Sequence, residues 1–487
     1  MNGKITHPVS DPALPSFLHP ALVDVKEGLE LVGACWDLLR EGKEAFLPRE
    51  PKEPTKAYQA RLLRSSYPSF YRDAIVAYAG ALSRFELRDA PALLQKNQSS
   101  VDGDGNSLKA FWMVTDALVL RDGGCLLTVD MPTDRAQNRA VEVASGRRPY
   151  LARVERRNVV NWRTTKENGR EVCTDIAILE WSEEEDGAYG VKVEPRYRVM
   201  RGGEWMLIKL VEGGTGWMPE MVDEGVFESS NGQPLSRPPV TWYSGSRSGF
   251  GRGIPTLLSL ANLTLDWFRE YSDLKELLHR TAMPIPVRKG MAVGPGNTAP
   301  PMILGPNSGI DLPENGSFSF AEVTGSSLSQ HVEHLKHIET LIDRQTLSFL
   351  FSGDAQKTAT QSMLEAAQLQ ATLSSLAEGK SSAMESVFQI WGQYTGEVVK
   401  PGAGINLDSG VFDQPVGVEQ IRLVRELYGD GLLTKASAVQ MIGKAHLLPP
   451  SVTPDAEVAA IGAEEDESRR REGRTPDIND LEDGMPA

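Results

Sequence analysis

Residues 253–286, GIPTLLSLANLTLDWFREYSDLKELLHRTAMPIP, decide the fold class. Pro255 stands where proline is tolerated, in the first turn of a helix, and no breaker follows until Pro284 and Pro286. The stretch predicts one long helix ending near Ala282. Upstream, SGSRSGFGRG at 244–253 reads as a Gly-rich hinge. Downstream, residues 284–325 are rich in Gly and Pro around the strand-like pieces IPVR, MILG and FSFAEV, which predicts a small mixed module. A second long helix is expected over 327–350, where Leu328, Val332, Leu335, Ile338, Ile342 and Phe349 keep one apolar stripe. At 1.5 Å per residue it spans about 36 Å. FSGDAQKTAT at 351–360 interrupts the pattern, and a polar, Ala-rich helix follows from 361 to about 398. Lone globules pack such helices through short connections. A module carried on two helical legs suggests a subunit of a ring or shaft instead.

Outward from this core the period changes twice. Residues 22–90 read as helices: Leu29, Val32, Trp36 and Leu39 recur at helical spacing, as do Tyr71, Ile75, Tyr78 and Leu82, with the three prolines of 46–56 between them. A helix at 108–121 meets the turn signal Asp122-Gly123-Gly124, and CLLTVDM then alternates like a strand. From 150 to 243 the period is two, in YLARVERRNVVNWR, VCTDIAILEW, YGVKVEPRYRVM and EWMLIKLV, which predicts an antiparallel β region. After Pro401 come a strand candidate, INLDSGVF, and helices at 416–429 and 434–443. The last 37 residues, from Ser451, hold 11 acidic and 4 basic side chains, a net of −7, and read as disordered.

Composition excludes several classes. The 487 residues, 24% charged and 40% hydrophobic, describe a globular chain of about three compact units. With 51 basic against 66 acidic side chains the net charge is −15, which opposes a phosphate-gripping protein. Cys35, Cys125 and Cys173 form no CxxC pair, so neither a disulfide framework nor a zinc site is supported. The longest nearly apolar run, AIVAYAGAL at 74–82, is well short of the roughly 20 residues a membrane helix needs, so no membrane partner is expected.

Short motifs carry little chemistry. Gly245, Gly249, Gly251 and Gly253 precede a helix, but no Gly-Lys-Ser/Thr, GxGxxG spacing or βαβ unit makes them a phosphate cradle. His331, His334 and His337 lie three apart on the second long helix, drift around it, and have no HExxH pattern, so they read as a solvated or intersubunit face. Asp102, Asp104 and Asn106 start like a calcium loop, yet Ser107 occupies its glycine position and Met113 its bidentate glutamate position, which leaves a polar turn. GSRSG at 245–249 has Arg247 where a nucleophile elbow needs serine. No catalytic, cofactor or metal residues are assigned, and the chain is not expected to be an enzyme.

The longer stretches resemble the portal proteins of tailed bacteriophages, the head-to-tail connectors, in a subfamily of uncharacterised portal-like phage proteins. The resemblance rests on FLP at 46–48, AYQARLLRSSYPSFYRDAIVAYAGALSRFEL at 57–87 and YLARVERRNVVNWR at 150–163. It continues in SGFGRGIPTLLSLANLTLDWFREYSDLKELLHRTAMPIP at 248–286 and GLLTKASAVQMI at 431–442, and covers most of 20–467 in order. It implies an α+β subunit with a mixed wing at 1–250, helical over 20–121 and antiparallel β over 122–243. The first stem helix is then 251–283, the clip 284–325, the second stem helix 326–350, the tunnel loop 351–360, the wing helix 361–400 and a helical crown 401–450, ahead of the acidic tail 451–487. The clip is short and the crown small for the family.

By this resemblance the chain forms a homo-oligomeric ring, a dodecamer, at one capsid vertex, assembled in the host cytoplasm and placed in the virion. Double-stranded DNA passes through it during packaging and ejection. The major capsid protein, the terminase large subunit (transiently) and a neck adaptor protein are the implied partners. Gly353, Asp354, Ala355, Gln356, Lys357 and Thr358 are the expected channel-facing loop, with Lys357 its one cation. Leu257, Leu265 and Phe268 on one leg and Leu335, Ile338 and Ile342 on the other are expected to pack between subunits, on legs too exposed to be covered within one chain. A head or neck protein without a DNA channel and a soluble enzyme are the alternatives.

Overall fold

A computed structural model describes residues 7–40, 42–132, 146–167, 169–214, 216–245, 249–281, 285–289, 312, 315–321, 326–346, 359–407, 418–444, 448 and 453–472. The fold is mixed α+β in two compact units, residues 1–83 with 87–406 and residues 84–86 with 407–487.

The chain opens with α1 (Pro20–Val23), α2 (Lys26–Trp36), α3 (Lys43–Phe46), α4 (Thr55–Arg64) and α5 (Phe70–Leu82). Leu38 and Leu39 both take left-handed backbone, so α2 stops at Trp36 and the expected stripe ending at Leu39 is not one helix face. β1 (Phe85–Arg88) and α6 (Ala92–Lys96) lead to α7 (Leu108–Asp122), capped by the Ser107 side chain, which accepts from the Ala110 N–H, and ended by Gly123. On α7, Phe111, Trp112 and every residue from Thr115 to Asp122 are buried, so it is the central helix of its unit.

β2 (Cys125–Asp130) pairs on one side with β3 (Tyr150–Glu155), in antiparallel register with Cys125 opposite Glu155. The 3₁₀ turn Arg156–Asn158 then divides YLARVERRNVVNWR, which reads as one strand, between two sheets. The second half begins a five-stranded antiparallel meander of β4 (Val159–Glu167), β5 (Arg170–Asp186), β6 (Gly190–Arg201), β7 (Glu204–Gly213) and β8 (Gly216–Val226). Its core face packs Val160, Leu179, Tyr197 and Leu210 with Leu14 of the N-terminal segment. β9 (Val240–Tyr243) returns to complete the first sheet on the other side of β2. β8 escapes sequence reading because Pro219 and three acids interrupt its alternation, and only an edge strand tolerates them.

The meander is forked. β6 and β7 pair only from Tyr197 opposite Ile208 to Arg201 opposite Glu204. Beyond that, β6 stays with β5 and β7 with β8, out to the pairs Asp186–Gly190 and Gly213–Gly216. Pro195 sits at the divergence and has no N–H to give a ladder. Lys192 and Lys209, one from each arm, converge on Glu194 there and hold its carboxyl down at about 2.

α8 (Leu258–Thr281), the antiparallel pair β10 (Ile285–Lys289) and β11 (Ser317–Ala321), and α9 (Ser326–Gln345) follow. Then come α10 (Ala359–Thr395), 37 residues long, and β12 (Gly404–Leu407). One junction fixes α10. The fully buried Lys380 ammonium lies 2.7 Å from Asp116 on α7, donates to the Leu82 carbonyl at 2.8 Å, and stands 5.4 Å from the centre of the Trp112 ring. Tyr243 of β9 donates to the other Asp116 oxygen at 2.9 Å. Burial raises the Asp116 carboxyl and lowers the Lys380 ammonium, and the ion pair opposes both shifts.

Residues 249–253 of the Gly-rich segment before α8 form a packed strap, which corrects the reading of that part as a hinge. A Cβ on Gly251 would stand 2.2 Å from the Trp162 ring, and one on Gly253 2.1 Å from the Gly123 carbonyl oxygen. Both residues also have positive φ, +69° and +153°. Buried Arg156 donates to the carbonyls of Asp122 and Gly253, tying the strap to the end of α7.

The smaller unit holds α11 (Val418–Gly429), α12 (Lys435–Lys444) and α13 (Pro454–Glu472). α13 corrects the reading of everything after Ser451 as disordered. Thr453 caps it, its hydroxyl accepting from the Ala456 N–H at 3.3 Å, Pro454 fits the first turn, and Asp455 and Glu457 face the positive end of the helix dipole. Net charge alone hides these start signals.

Two stability predictions follow from these contacts. Lys380→Met leaves the Asp116 carboxylate buried without its cation and should cost about 3–5 kcal/mol, while Lys380→Met combined with Asp116→Asn should recover part of that loss in chemical denaturation. Gly253→Ala should lower the melting temperature, with the strained backbone alone costing about 1–3 kcal/mol. The exposed Gly214, whose Cβ would meet nothing within 4 Å, is the matched control.

Candidate functional site

The candidate site is the helix pair α8–α9. The two helices run antiparallel: the Ser259 hydroxyl donates to the Gln345 side chain at 2.6 Å, the Trp267 indole N–H to Glu339 at 3.0 Å, and Glu270 faces His331 at 3.5 Å. Each contact pairs a later residue of α8 with an earlier one of α9. Tyr271 stacks on Trp267 with ring centres 4.5 Å apart, and Phe70 meets the same indole edge-on at 5.4 Å.

The six expected subunit-packing residues, Leu257, Leu265, Phe268, Leu335, Ile338 and Ile342, are all buried within the single chain. Leu265 and Phe268 sit in a cluster with Leu39 and Leu47, backed by Phe46, Leu62 and Tyr67. The premise that these stripes need a neighbouring subunit to cover them is therefore corrected: the helical layer α2–α4 covers one leg. The outward residues are different. Val332, Glu333, Lys336, His337 and Thr340 on α9, and Leu278 and His279 on α8, are exposed. Leu335 is the first buried side chain described on α9, so the end of the pair nearest β10 and β11 has the least cover.

The histidine series has a plain partner. Glu270 lies between His331 at 3.5 Å and His334 at 4.0 Å, a carboxylate bridging two turns of α9. Among the described residues no group of three or more His, Cys, Asp or Glu side chains is arranged to hold a metal ion. Asp102 likewise closes a polar turn, accepting from the backbone N–H of Asp104 and Asn106. Cys35, Cys125 and Cys173 are buried and free, and burial pushes their thiols up, to about 11 for Cys35 and about 12 for Cys173, so they do not serve as thiolates at neutral pH.

The expected channel-loop residues Gly353, Asp354, Ala355, Gln356, Lys357 and Thr358 lie outside the described residues. Two features have little or no local signal in the sequence. The Lys380–Asp116–Tyr243 junction joins three distant segments without a local pattern, and a lysine inside an Ala-rich helix looks like any solvated cation. The fork of the meander had a signal, Pro195 inside a period-two run.

A family model described as a domain of unknown function, DUF4055, matches residues 256–395, from the start of α8 to the end of α10. No curated protein matches this chain. Among solved structures, a chain from the neck of an empty gene transfer agent particle computed with C6 symmetry is 14% identical, with a TM-score of 0.41, over 83% of this chain and 96% of that one. A chain from the virion of the native gene transfer agent particle is also 14% identical, with a TM-score of 0.40, over 86% and 100%. One from the neck of the native particle computed with C12 symmetry is 14% identical, with a TM-score of 0.38, over 82% and 96%.

Since the α8 and α9 stripes are intrachain core, Phe268→Ala should destabilise the isolated chain by about 3–5 kcal/mol, independently of protein concentration. A loss that appears only at concentrations where subunits associate would place Phe268 between chains.

Proposed function

We propose that this chain is the portal subunit of a tailed phage or phage-like particle, a ring at one capsid vertex through which DNA enters and leaves the head. The observation that carries the reading is the run α8, β10–β11, α9, α10. Two antiparallel legs carry a strand pair at their far end, and the third helix returns into the core, where Lys380 locks it. Of the stretches resembling portal proteins, 248–286 falls on the first leg and 46–48 and 57–87 on the helical layer beside it, while 150–163 lies in β3 and β4 and 431–442 in α12. A soluble enzyme has no need of such legs, whereas a ring that spans a capsid opening does.

Charge fits a passive conduit. About twelve copies at −15 each sum to roughly −180, and like charge around a duplex keeps contacts weak enough for sliding. In this reading residues 353–358 form a polar collar with Lys357 as its cation. The legs and β10–β11 face the terminase during packaging and the neck adaptor afterwards, and the outer surface meets the capsid protein.

The purified protein should form closed rings in negative-stain images, twelve-fold in particles, with a hole that admits a DNA duplex. A closed ring with a narrower hole would favour a neck protein without a DNA channel. A stable monomer at micromolar concentration, with no rings in assembled particles, would overturn the reading.

A further inference from the structure

The two outer strands of the five-stranded sheet carry opposite charge. β8, at one edge, has Glu220, Asp223 and Glu224 exposed and no lysine or arginine. At the other edge, RTTKENGR from the end of β4 into β5 presents Arg163, Lys166 and Arg170, against one acid, Glu167, which already faces Arg237 at 3.5 Å. The acidic strand is also apolar: Met218 is 52% and Met221 49% exposed, with Val222 and Val226 beside them. Beside the basic edge runs a groove of about 800 Å³, lined in part by Val172, Trp242, Phe250 and Ile390. Its carboxylates are engaged within the chain: Glu171 accepts from the Phe250 N–H and the Thr164 hydroxyl, Glu167 faces Arg237, and Glu378 also has a partner.

We infer that the β7–β8 arm of one copy docks against the β4–β5 hairpin and adjoining groove of the next copy. The inference rests on the ring reading above. Pairing like edges would set three acids against three acids, so a two-fold contact through β8 is disfavoured, whereas unlike edges attract. Where all five strands pair, along the row Arg163, Asp175, Arg201, Glu204 and Val226, the edges are about 19 Å apart across four strand spacings and face opposite ways. A contact joining one to the other therefore repeats in the same sense from copy to copy, the head-to-tail kind that a closed ring needs and a two-fold dimer does not have. Pro219 and the bulge between Leu207 and Ile208 interrupt the β8 edge as a hydrogen-bonding template, so the contact is made by side chains and not by strand addition. Beyond the fork at Pro195 the arm carries Met218 and Glu220 past the last β6–β7 pair, while Asp223 and Glu224 lie opposite Leu207 and Met206, where β7 still pairs with β6.

The test uses two full-length variants, Glu220→Arg/Glu224→Arg and Arg163→Glu/Lys166→Glu, each checked for an unchanged melting temperature. Alone, each puts like charge at every contact and should lower the ring fraction by about tenfold or more. Mixed in equal amounts, their unlike edges alternate around the ring and rings should return. A carbodiimide cross-link between Lys166 and one of Glu220, Asp223 or Glu224 should also bridge copies in the wild-type ring. Rings from either variant alone at the wild-type level, no recovery on mixing, or no such cross-link would each overturn this contact while leaving the ring reading intact. Absence of rings from the wild type would instead remove the ring reading itself.

Discussion

The Lys380 ammonium in the interior of the larger unit constrains more of this structure than any other single group. Removing a charge from water costs several kcal/mol, and a buried pair returns little net stability over an apolar core. What it imposes is position. The cation is satisfied only where Asp116, the Leu82 carbonyl and the Trp112 face converge, so α10 has one register on α7. Tyr243 extends the junction to β9, and through it to the sheet containing β2. A shift of one residue along α10 would turn the lysine about 100° away from its acceptor. The helices on either side of the site are thus held to a common frame.

That frame suits a part that bears load. Residues 249–253 ahead of α8 are packed down, with Gly251 against Trp162 and Gly253 against the end of α7, so α8 leaves the core at a fixed place. α9 then runs along α8, joined to it at Ser259–Gln345, Trp267–Glu339 and Glu270–His331, with Leu335, Ile338 and Ile342 buried and a mostly polar outer side. The legs are thus joined to the core by fixed packing contacts at the start of α8 and along α10.

Much of this is legible in the sequence. Long helices with few breakers announced α8, α9 and α10, because periodicity and proline placement are local properties. The change of period at residue 150 announced the β region for the same reason. What stayed hidden depended on partners far along the chain. The apolar stripes of α8 and α9 are visible in the sequence, but whether another chain or α2–α4 covers them is not, and here Leu47 and Tyr67 lie some 200 residues from Phe268. YLARVERRNVVNWR looks continuous because a three-residue 3₁₀ turn leaves no mark in a period-two pattern. The helix at 454–472 was masked by charge, although Thr453-Pro454-Asp455 is an ordinary helix start.

The central claim is that the chain is the subunit of a single DNA-conducting ring. A cryo-electron microscopy reconstruction of particles carrying this chain, computed without imposed icosahedral symmetry, tests it most directly. The account predicts density for the chain at one vertex only, as a closed ring with duplex DNA on its axis and the legs α8 and α9 around that axis. Density at many equivalent capsid positions, or a ring whose axis is closed by protein, would contradict it.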